Sequence, residues 1–214
     1  MIAPEQWDGW PEPETDLFGP AAVVLPDGRL ALYFTVARRD GEAILWTGIA
    51  GAVSDDGVTF TPLETLEGDR ALLAPVVPVE DGESWQAAVR DPSVAWREGD
   101  AGPELTMLYT GRSDPENPFT AQIGLATSPD GVQWQRHTSP VVTPPQDALI
   151  HTAVSDPALV WDEEHELFRL WYVWRVAQQF SIYHAVATAS ARDWISYPGN
   201  PVLRSGDVAW CDDQ

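Results

Sequence analysis

The stretch Arg90-Asp91-Pro92-Ser93-Val94-Ala95-Trp96 begins a pattern that decides the fold of this chain, because the chain repeats it. A second strand follows with Met107-Leu108-Tyr109-Thr110, and a third leads into the turn Ser128-Pro129-Asp130-Gly131-Val132-Gln133-Trp134. The same order of features returns from Ser155-Asp156-Pro157 onward. A repeat of this length that contains only strands and tight turns is typical of a β-propeller blade.

The turn that ends each unit has a physical rationale. It appears as Ser54–Phe60 and Ser128–Trp134, with a looser third copy from Ser190 to Tyr197. Its Asp can accept hydrogen bonds from backbone amides two residues on, and its Gly tolerates positive φ. We expect the aromatic residue to fold back as a plug between adjacent sheets. On this alignment Tyr197 is the third plug residue, and Trp194 stands where Gly would be.

The spacing of the repeats sets the expected architecture. The two Asp-Pro steps lie 65 residues apart, which fits a four-stranded blade with long loops. Alternating apolar and polar residues predict strands, and no helix of ten residues or more is expected. We predict one all-β domain, a β-propeller with blade-like units at 16–77, 85–142 and 150–203. The same spacing puts the next Asp-Pro step near position 221, so we expect the propeller to be incomplete at its C-terminal end.

One position at the start of each unit's first strand supplies the candidate catalytic residues. It holds Gly19 in the first unit, Asp91 in the second and Asp156 in the third. Equivalent positions of successive blades converge on a central funnel, so these carboxylates are candidates for chemistry, with a turn-capping role as the alternative. In the first unit Asp16 or Asp8 is the candidate carboxylate, and either could instead be an ordinary loop residue.

Four further residues are candidates for substrate binding. Arg90 could hold a sugar hydroxyl or pair with the neighbouring aspartate. The flat faces of Trp7 and Trp10 suit the stacking of a sugar ring, although both could instead anchor the N-terminal segment. His151 precedes the third unit and is either a funnel residue or a loop histidine.

Composition excludes several classes of partner. The net charge is −21 and all twelve basic residues are Arg, so the surface repels nucleic acid. No apolar run reaches membrane length and no leader is recognised, so we expect a soluble cytoplasmic protein without a membrane partner. The histidines lack metal spacing and no Gly-rich phosphate loop occurs, so neither a metal nor a cofactor is predicted. Unpaired edges of an open propeller predict possible self-association.

Taken in order, the motifs of this chain resemble those of the five-bladed propeller glycoside hydrolases, the superfamily of arabinanases, invertases and levansucrases (families 32, 43 and 68). Arg90-Asp91-Pro92 resembles the Arg-Asp-Pro motif of invertases and levansucrases. Phe18-Gly19-Pro20-Ala21-Ala22 resembles the Ser-Gly-Ser-Ala strand of invertases, and Trp7-Asp8-Gly9-Trp10-Pro11 resembles the Trp-Asp-x-Trp-Pro of levansucrases. The resemblance covers nearly the whole chain but about three of five blades.

The resemblance implies a glycosidase that acts on a furanoside or related carbohydrate with a pair of carboxyl groups. It implies that Asp91 holds sugar hydroxyls and tunes the acid, and that Asp16 or Asp8 is the base or nucleophile. The family's acid is a Glu in the third blade, whereas this chain has Asp156. This departure, together with Gly19 in the first blade, leaves a non-catalytic carbohydrate-binding or structural propeller as the alternative.

Overall fold

The structure is a computed structural model that describes residues 15–67, 70–73, 84–100, 102–145, 148, 151–205 and 207. These residues form strands and turns with one short 3-10 turn at Pro118–Thr120, and no α-helix occurs among them. None of the described segments is a helix with the length and apolar character needed to cross a membrane.

Three antiparallel meanders make up most of the described chain. Blade 1 contains β1 (Thr15–Val24), β2 (Leu30–Asp40), β3 (Ala43–Ser54) and β4 (Thr61–Pro62), hydrogen-bonded in that order. A separate hairpin pairs β5 (Glu64–Glu67) with β6 (Arg70–Leu73). Blade 2 contains β7 (Ala88–Gly99), β8 (Gly102–Arg112), β9 (Gln122–Ser128) and β10 (Gln135–Arg136). Blade 3 contains β11 (Thr152–Asp162), β12 (Leu167–Val176), β13 (Gln179–Ala187), β14 (Ile195–Ser196) and β15 (Leu203–Arg204), the last paired with β13.

Alternation within the strands builds an apolar core between neighbouring blades. Tyr33, Val89 and Met107 are buried between blades 1 and 2. Between blades 2 and 3, the buried side chains include Leu108 and Phe168. Because each sheet buries side chains against its neighbour, the blades form one packed body in which the starts of β1, β7 and β11 have a fixed relation.

The turn motif of blades 1 and 2 behaves as the sequence predicted. The Asp130 Oδ1 atom accepts hydrogen bonds from the amides of Val132 (2.8 Å) and Gln133 (2.9 Å), and Gly131 has φ +75°. The Trp134 side chain folds back, so that its Nε1 donates to the Gly131 carbonyl (3.1 Å). Blade 1 repeats the amide contacts around Asp56. In blades 1 and 2 the aspartate binds the backbone of its own turn, and the glycine takes the positive φ of that turn.

The third copy of this turn corrects the sequence alignment. Trp194, not Tyr197, is the plug residue of blade 3, because its Nε1 donates to the carbonyl of Ala191 at 2.9 Å. Ala191 has φ +52° and so stands at the position of the glycine, whereas Tyr197 is 51% exposed. The order of aromatic residues in the sequence therefore predicts the wrong plug. In blades 2 and 3 the plug indole lies three residues after the left-handed residue and donates to its carbonyl.

Candidate functional site

The strand-start position of each blade is a β-bulge with a left-handed residue. The register of the first strand breaks at this point in all three blades. The backbone there has φ +58° at Gly19, +52° at Asp91 and +51° at Asp156. Glycine adopts this conformation without cost, and aspartate tolerates it better than most residues. A backbone requirement therefore explains why this position holds one glycine and two aspartates.

A threonine from the preceding blade holds each bulge aspartate. The Asp91 amide donates to Thr35 Oγ1 at 2.8 Å, and the Asp156 amide donates to Thr110 Oγ1 at 3.0 Å. Both threonines are fully buried and occupy the same register in β2 and β8. In β12 the equivalent residue is Val173, which has no hydroxyl group. These clips fix the two carboxylates at the junctions between blades.

The Asp91 carboxylate is enclosed by its neighbours. Arg90 Nε donates to Asp91 Oδ2 at 2.7 Å, and the Arg90 guanidinium lies 5.0 Å from the centre of the Phe18 ring. A Cβ atom added to Gly19 would lie 3.0 Å from Asp91 Oδ1. Only 13% of the Asp91 side chain is exposed. The absence of a side chain at Gly19 therefore makes room for this carboxylate.

Burial and charge shift the ionisation of Asp91. Burial raises the pKa of this carboxyl, the Arg90 guanidinium opposes the shift, and the negative charge of Asp156 adds to it. The positive charge of Arg112 also opposes it, but the net direction is upward. A carboxyl group that keeps its proton more readily than usual suits acid catalysis.

Two arginines that the sequence analysis missed complete the site. Arg112 and Arg175 occupy equivalent positions in β8 and β12, each opposite an alanine of the first strand. Burial lowers the pKa of Arg112, Arg90 and Arg175 lower it further, and the two bulge aspartates raise it. We name the group Arg90, Asp91, Arg112, Asp156 and Arg175 the funnel cluster. The signal in the sequence is an arginine two residues after the Thr110 or Val173 position.

Aromatic rings border the funnel cluster. The Arg175 guanidinium lies 4.5 Å from the centre of the Phe119 ring and 5.0 Å from that of Phe180. Its Nε donates to the Ala177 carbonyl at 2.9 Å. The His151 ring lies 4.7 Å from the Phe119 ring and is exposed. His151 is therefore brought to the edge of the cluster, one ring away from Arg175.

The remaining predicted residues have different placements. Asp16 is exposed on β1, opposite Ala37, and is not among the charges that act most strongly on Asp91. Trp7, Asp8 and Trp10 lie outside the described residues. Among the residues that the structure describes, no group of three or more His, Cys, Asp or Glu side chains is arranged to hold a metal ion.

Solved glycoside hydrolases share this fold. A family 117 glycoside hydrolase of the marine bacterium Zobellia galactanivorans matches 91% of this chain and 59% of its own, at 17% identity and a TM-score of 0.67. A thermostable family-43 glycoside hydrolase matches over 88% of this chain and 56% of its own length, at 20% identity and a TM-score of 0.57. Fructan 1-exohydrolase IIa from Cichorium intybus matches over 89% of this chain and 33% of its own length, at 19% identity and a TM-score of 0.59. No family model and no curated protein matches the sequence.

These similarities confirm the fold expected from the sequence. The chain is all-β and has the β-propeller fold of the glycoside hydrolases, with three blades in the described residues. It spans less than two thirds of the length of the structures cited above. At 17–20% identity the likeness is one of fold alone, and a shared fold does not imply a shared function.

Proposed function

We propose that this chain is a glycoside hydrolase-like protein whose funnel cluster acts on a furanoside or related glycan by carboxylate acid–base chemistry. The observation that carries the proposal is the environment of Asp91. This carboxyl is buried, paired with Arg90, influenced by a second carboxyl at Asp156 and has a raised pKa. Perturbed ionisable groups of this kind concentrate at functional sites.

The chemistry assigns a different role to each carboxyl group. Hydrolysis of a glycosidic bond requires one protonated and one ionised carboxyl on either side of the bond. In this proposal Asp91 holds sugar hydroxyls and tunes the acid, and Asp156 occupies the place of the acid. Asp16 or Asp8 is the base or nucleophile. Arg90 orients Asp91 through the hydrogen bond from its Nε atom. Trp7, Trp10 and His151 are the proposed residues for sugar contacts at the rim.

A second candidate function is a carbohydrate-binding or structural propeller without catalysis. The observation that favours it is the environment of Asp156. Its amide is bound by Thr110, and its carboxylate accepts a hydrogen bond from Ser155 Oγ, so both groups have structural partners. An aspartate is also one methylene shorter than the glutamate that the family resemblance places in the third blade.

Hydrolysis of 4-nitrophenyl α-L-arabinofuranoside and of sucrose by the 214-residue chain distinguishes the two functions. We expect Asp91→Asn to lower kcat/KM by about 100-fold, because the acid that Asp91 tunes contributes about that factor or more. The matched control is Asp27→Asn, because Asp27 pairs with Arg29 in the exposed β1–β2 turn. Activity that survives Asp91→Asn would contradict the catalytic proposal. Sugar binding without any hydrolysis would support the second candidate.

A further inference from the structure

We propose that Arg112 and Arg175 form a subsite for an oxyanion group on the sugar, so that the glycan is acidic. The oxyanion is a uronate carboxylate or a sulfate ester, both of which match the planar donor fork of a guanidinium. This inference rests on the proposed function, because it takes the funnel cluster as the glycan site.

The charges of the cluster are unusual for this protein. The chain has 12 arginines against 33 acidic residues. Three of these arginines, a quarter of the total, lie in the funnel cluster. Such a concentration of guanidinium groups on a strongly acidic protein favours an anionic ligand over a neutral one.

Arg112 has an unused donor. Its Nε atom is buried and has no hydrogen-bond partner among the described residues, while Nη1 makes one long bond of 3.4 Å to the Pro115 carbonyl. The Nε atom of Arg97 is also buried without a partner, but the Arg97 guanidinium pairs with Glu104, whereas no ion pair to Arg112 occurs among the described residues. Buried polar groups normally have partners, so the Nε–H of Arg112 lacks an acceptor that an oxyanion can provide.

Arg175 is held in place without a carboxylate. The rings of Phe119 and Phe180 lie within 4.5 and 5.0 Å of its guanidinium, and its Nε is used by the Ala177 carbonyl. No ion pair to Arg175 occurs within the part of the chain that the structure describes. Cation–π contacts fix a guanidinium but do not neutralise its charge. The Nη atoms of Arg175 are therefore oriented and available to an anion.

One segment, which joins β8 to β9, contacts both arginines. Arg112 donates to the Pro115 carbonyl, Arg175 lies over the Phe119 ring, and the charge of Arg175 lowers the pKa of Arg112. Like charges in a partly buried site repel each other, and an oxyanion between them would remove this cost. Asp91 and Asp156 offset part of this repulsion, and an anionic ligand would offset more of it.

Titration calorimetry with three probes tests this subsite directly. The probes are D-glucuronate, D-glucose 6-sulfate and neutral D-glucose, added to the 214-residue chain. We expect at least one anionic probe to bind about tenfold or more tightly than glucose, as charge-assisted hydrogen bonds require. The substitution Arg112→Gln should remove this preference, and Arg112→Lys should restore part of it. Arg29→Gln is the control, because Arg29 pairs with Asp27 in an exposed turn.

A second variant keeps the test valid if Arg112→Gln fails to fold. Arg175 is less enclosed than Arg112, and Arg175→Gln should also weaken binding of the anionic probe by about tenfold. Preference for glucuronate identifies a carboxylate, and preference for the sulfate identifies a sulfate ester. Equal binding of all three probes, or an anion preference that survives both Gln variants, would overturn the inference.

Asp91-dependent hydrolysis of neutral glycosides without anion preference would overturn this inference alone. Arg112-dependent anion binding without any hydrolysis would overturn the enzymatic proposal alone.

Discussion

The ionised form of the Asp91 carboxyl is disfavoured in the folded protein. Burial and the charge of Asp156 raise its pKa above the ordinary value near 4. A raised folded-state pKa gives a stability contribution that is complete below the unfolded pKa and is lost as pH rises through the folded value. We therefore expect Asp91→Asn to be more stable, relative to the parent, at pH 7 than at pH 3.5.

Thermal melts of the parent and Asp91→Asn at both pH values measure this linkage. The Asn variant should gain in Tm at pH 7, and most of that gain should disappear at pH 3.5. Asn tolerates the left-handed backbone of this position, so the comparison isolates the charge. A difference in Tm that is the same at both pH values would contradict the assigned burial effect.

Gly19 serves Asp91 by having no side chain. Substitution Gly19→Ala would force a non-glycine residue to φ +58°, at a cost of about 1–2 kcal/mol. It would also place a Cβ atom 3.0 Å from Asp91 Oδ1 and 3.3 Å from Thr35 Oγ1. The matched control is Gly41→Ala, where φ is +60° and nothing lies within 4 Å of the added atom. Urea denaturation should give a larger loss for Gly19→Ala, and glycan binding should fall in that variant alone.

At the residue scale the sequence predicted the aspartates of the site but not its arginines. Asp91 and Asp156 follow a motif that recurs at a fixed distance along the chain. Arg112 and Arg175 lie on second strands and join the cluster through the pairing register, which the sequence does not display. The sequence places Gly19 at the aspartate position and the register of β1 agrees, but its contact with Asp91 is visible only in the structure.

At the scale of the element, the plug turns of blades 2 and 3 offer a matched pair of substitutions. Ala191 has φ +52° where blade 2 has Gly131 at +75°. Ala191→Gly should stabilise the fold by about 0.5–1 kcal/mol, the left-handed strain less the extra chain entropy of glycine. Gly131→Ala should destabilise it by more, because the added Cβ would lie 2.7 Å from Tyr33 Oη.

Chemical denaturation of both variants checks this pair. The free energy of unfolding should rise for Ala191→Gly and fall for Gly131→Ala. Opposite signs are the diagnostic result, since the two positions are equivalent in the turn. A loss of stability in Ala191→Gly would show that blade 3 does not use the same turn.

The strands of blades 1 and 2 were predictable because the side chains of their turns bind the turn backbone in a recognisable pattern. Ser128 and Asp130 bind the amides of their own turn, so the strands on either side could be located from the sequence. Blade 3 keeps the shape of the turn with Ser190 and Ala191 in place of Asp and Gly. The sequence predicts the wrong plug residue in blade 3, because the turn geometry recurs there with different residue types.

At the scale of the whole molecule, apolar side chains remain on the outer faces of blades 1 and 3. A pocket of about 340 Å³ on blade 1 is lined by Leu17, Phe18, Pro20, Leu32, Phe34, Val58 and Phe60. On blade 3, Val160 is 50% exposed and Leu203 51%. Val173 stands on this blade where Thr110 stands on blade 2. A neighbour that packs on blade 3 therefore cannot form a hydrogen bond like the one that Thr110 accepts from the Asp156 amide.

The exposed apolar faces favour self-association of the chain. We expect a second copy of the chain to cover them, with a measurable dimer at tens of micromolar in light scattering after gel filtration. Added salt should strengthen the dimer, because a net charge of −21 on each copy opposes contact. Val58→Glu and Val160→Glu should each weaken it. A monomer at every concentration and salt would contradict this prediction.

The proposed glycan site consists of the bulge aspartates and the arginines around them. Amide ¹H–¹⁵N spectra recorded during titration with methyl α-L-arabinofuranoside, and separately with D-glucuronate, test it most directly. We expect the largest shifts at the amides of Asp91 and Asp156 and of Thr35 and Thr110, which bind them. Shifts confined to the apolar pocket of blade 1, around Leu17 and Val58, would contradict it.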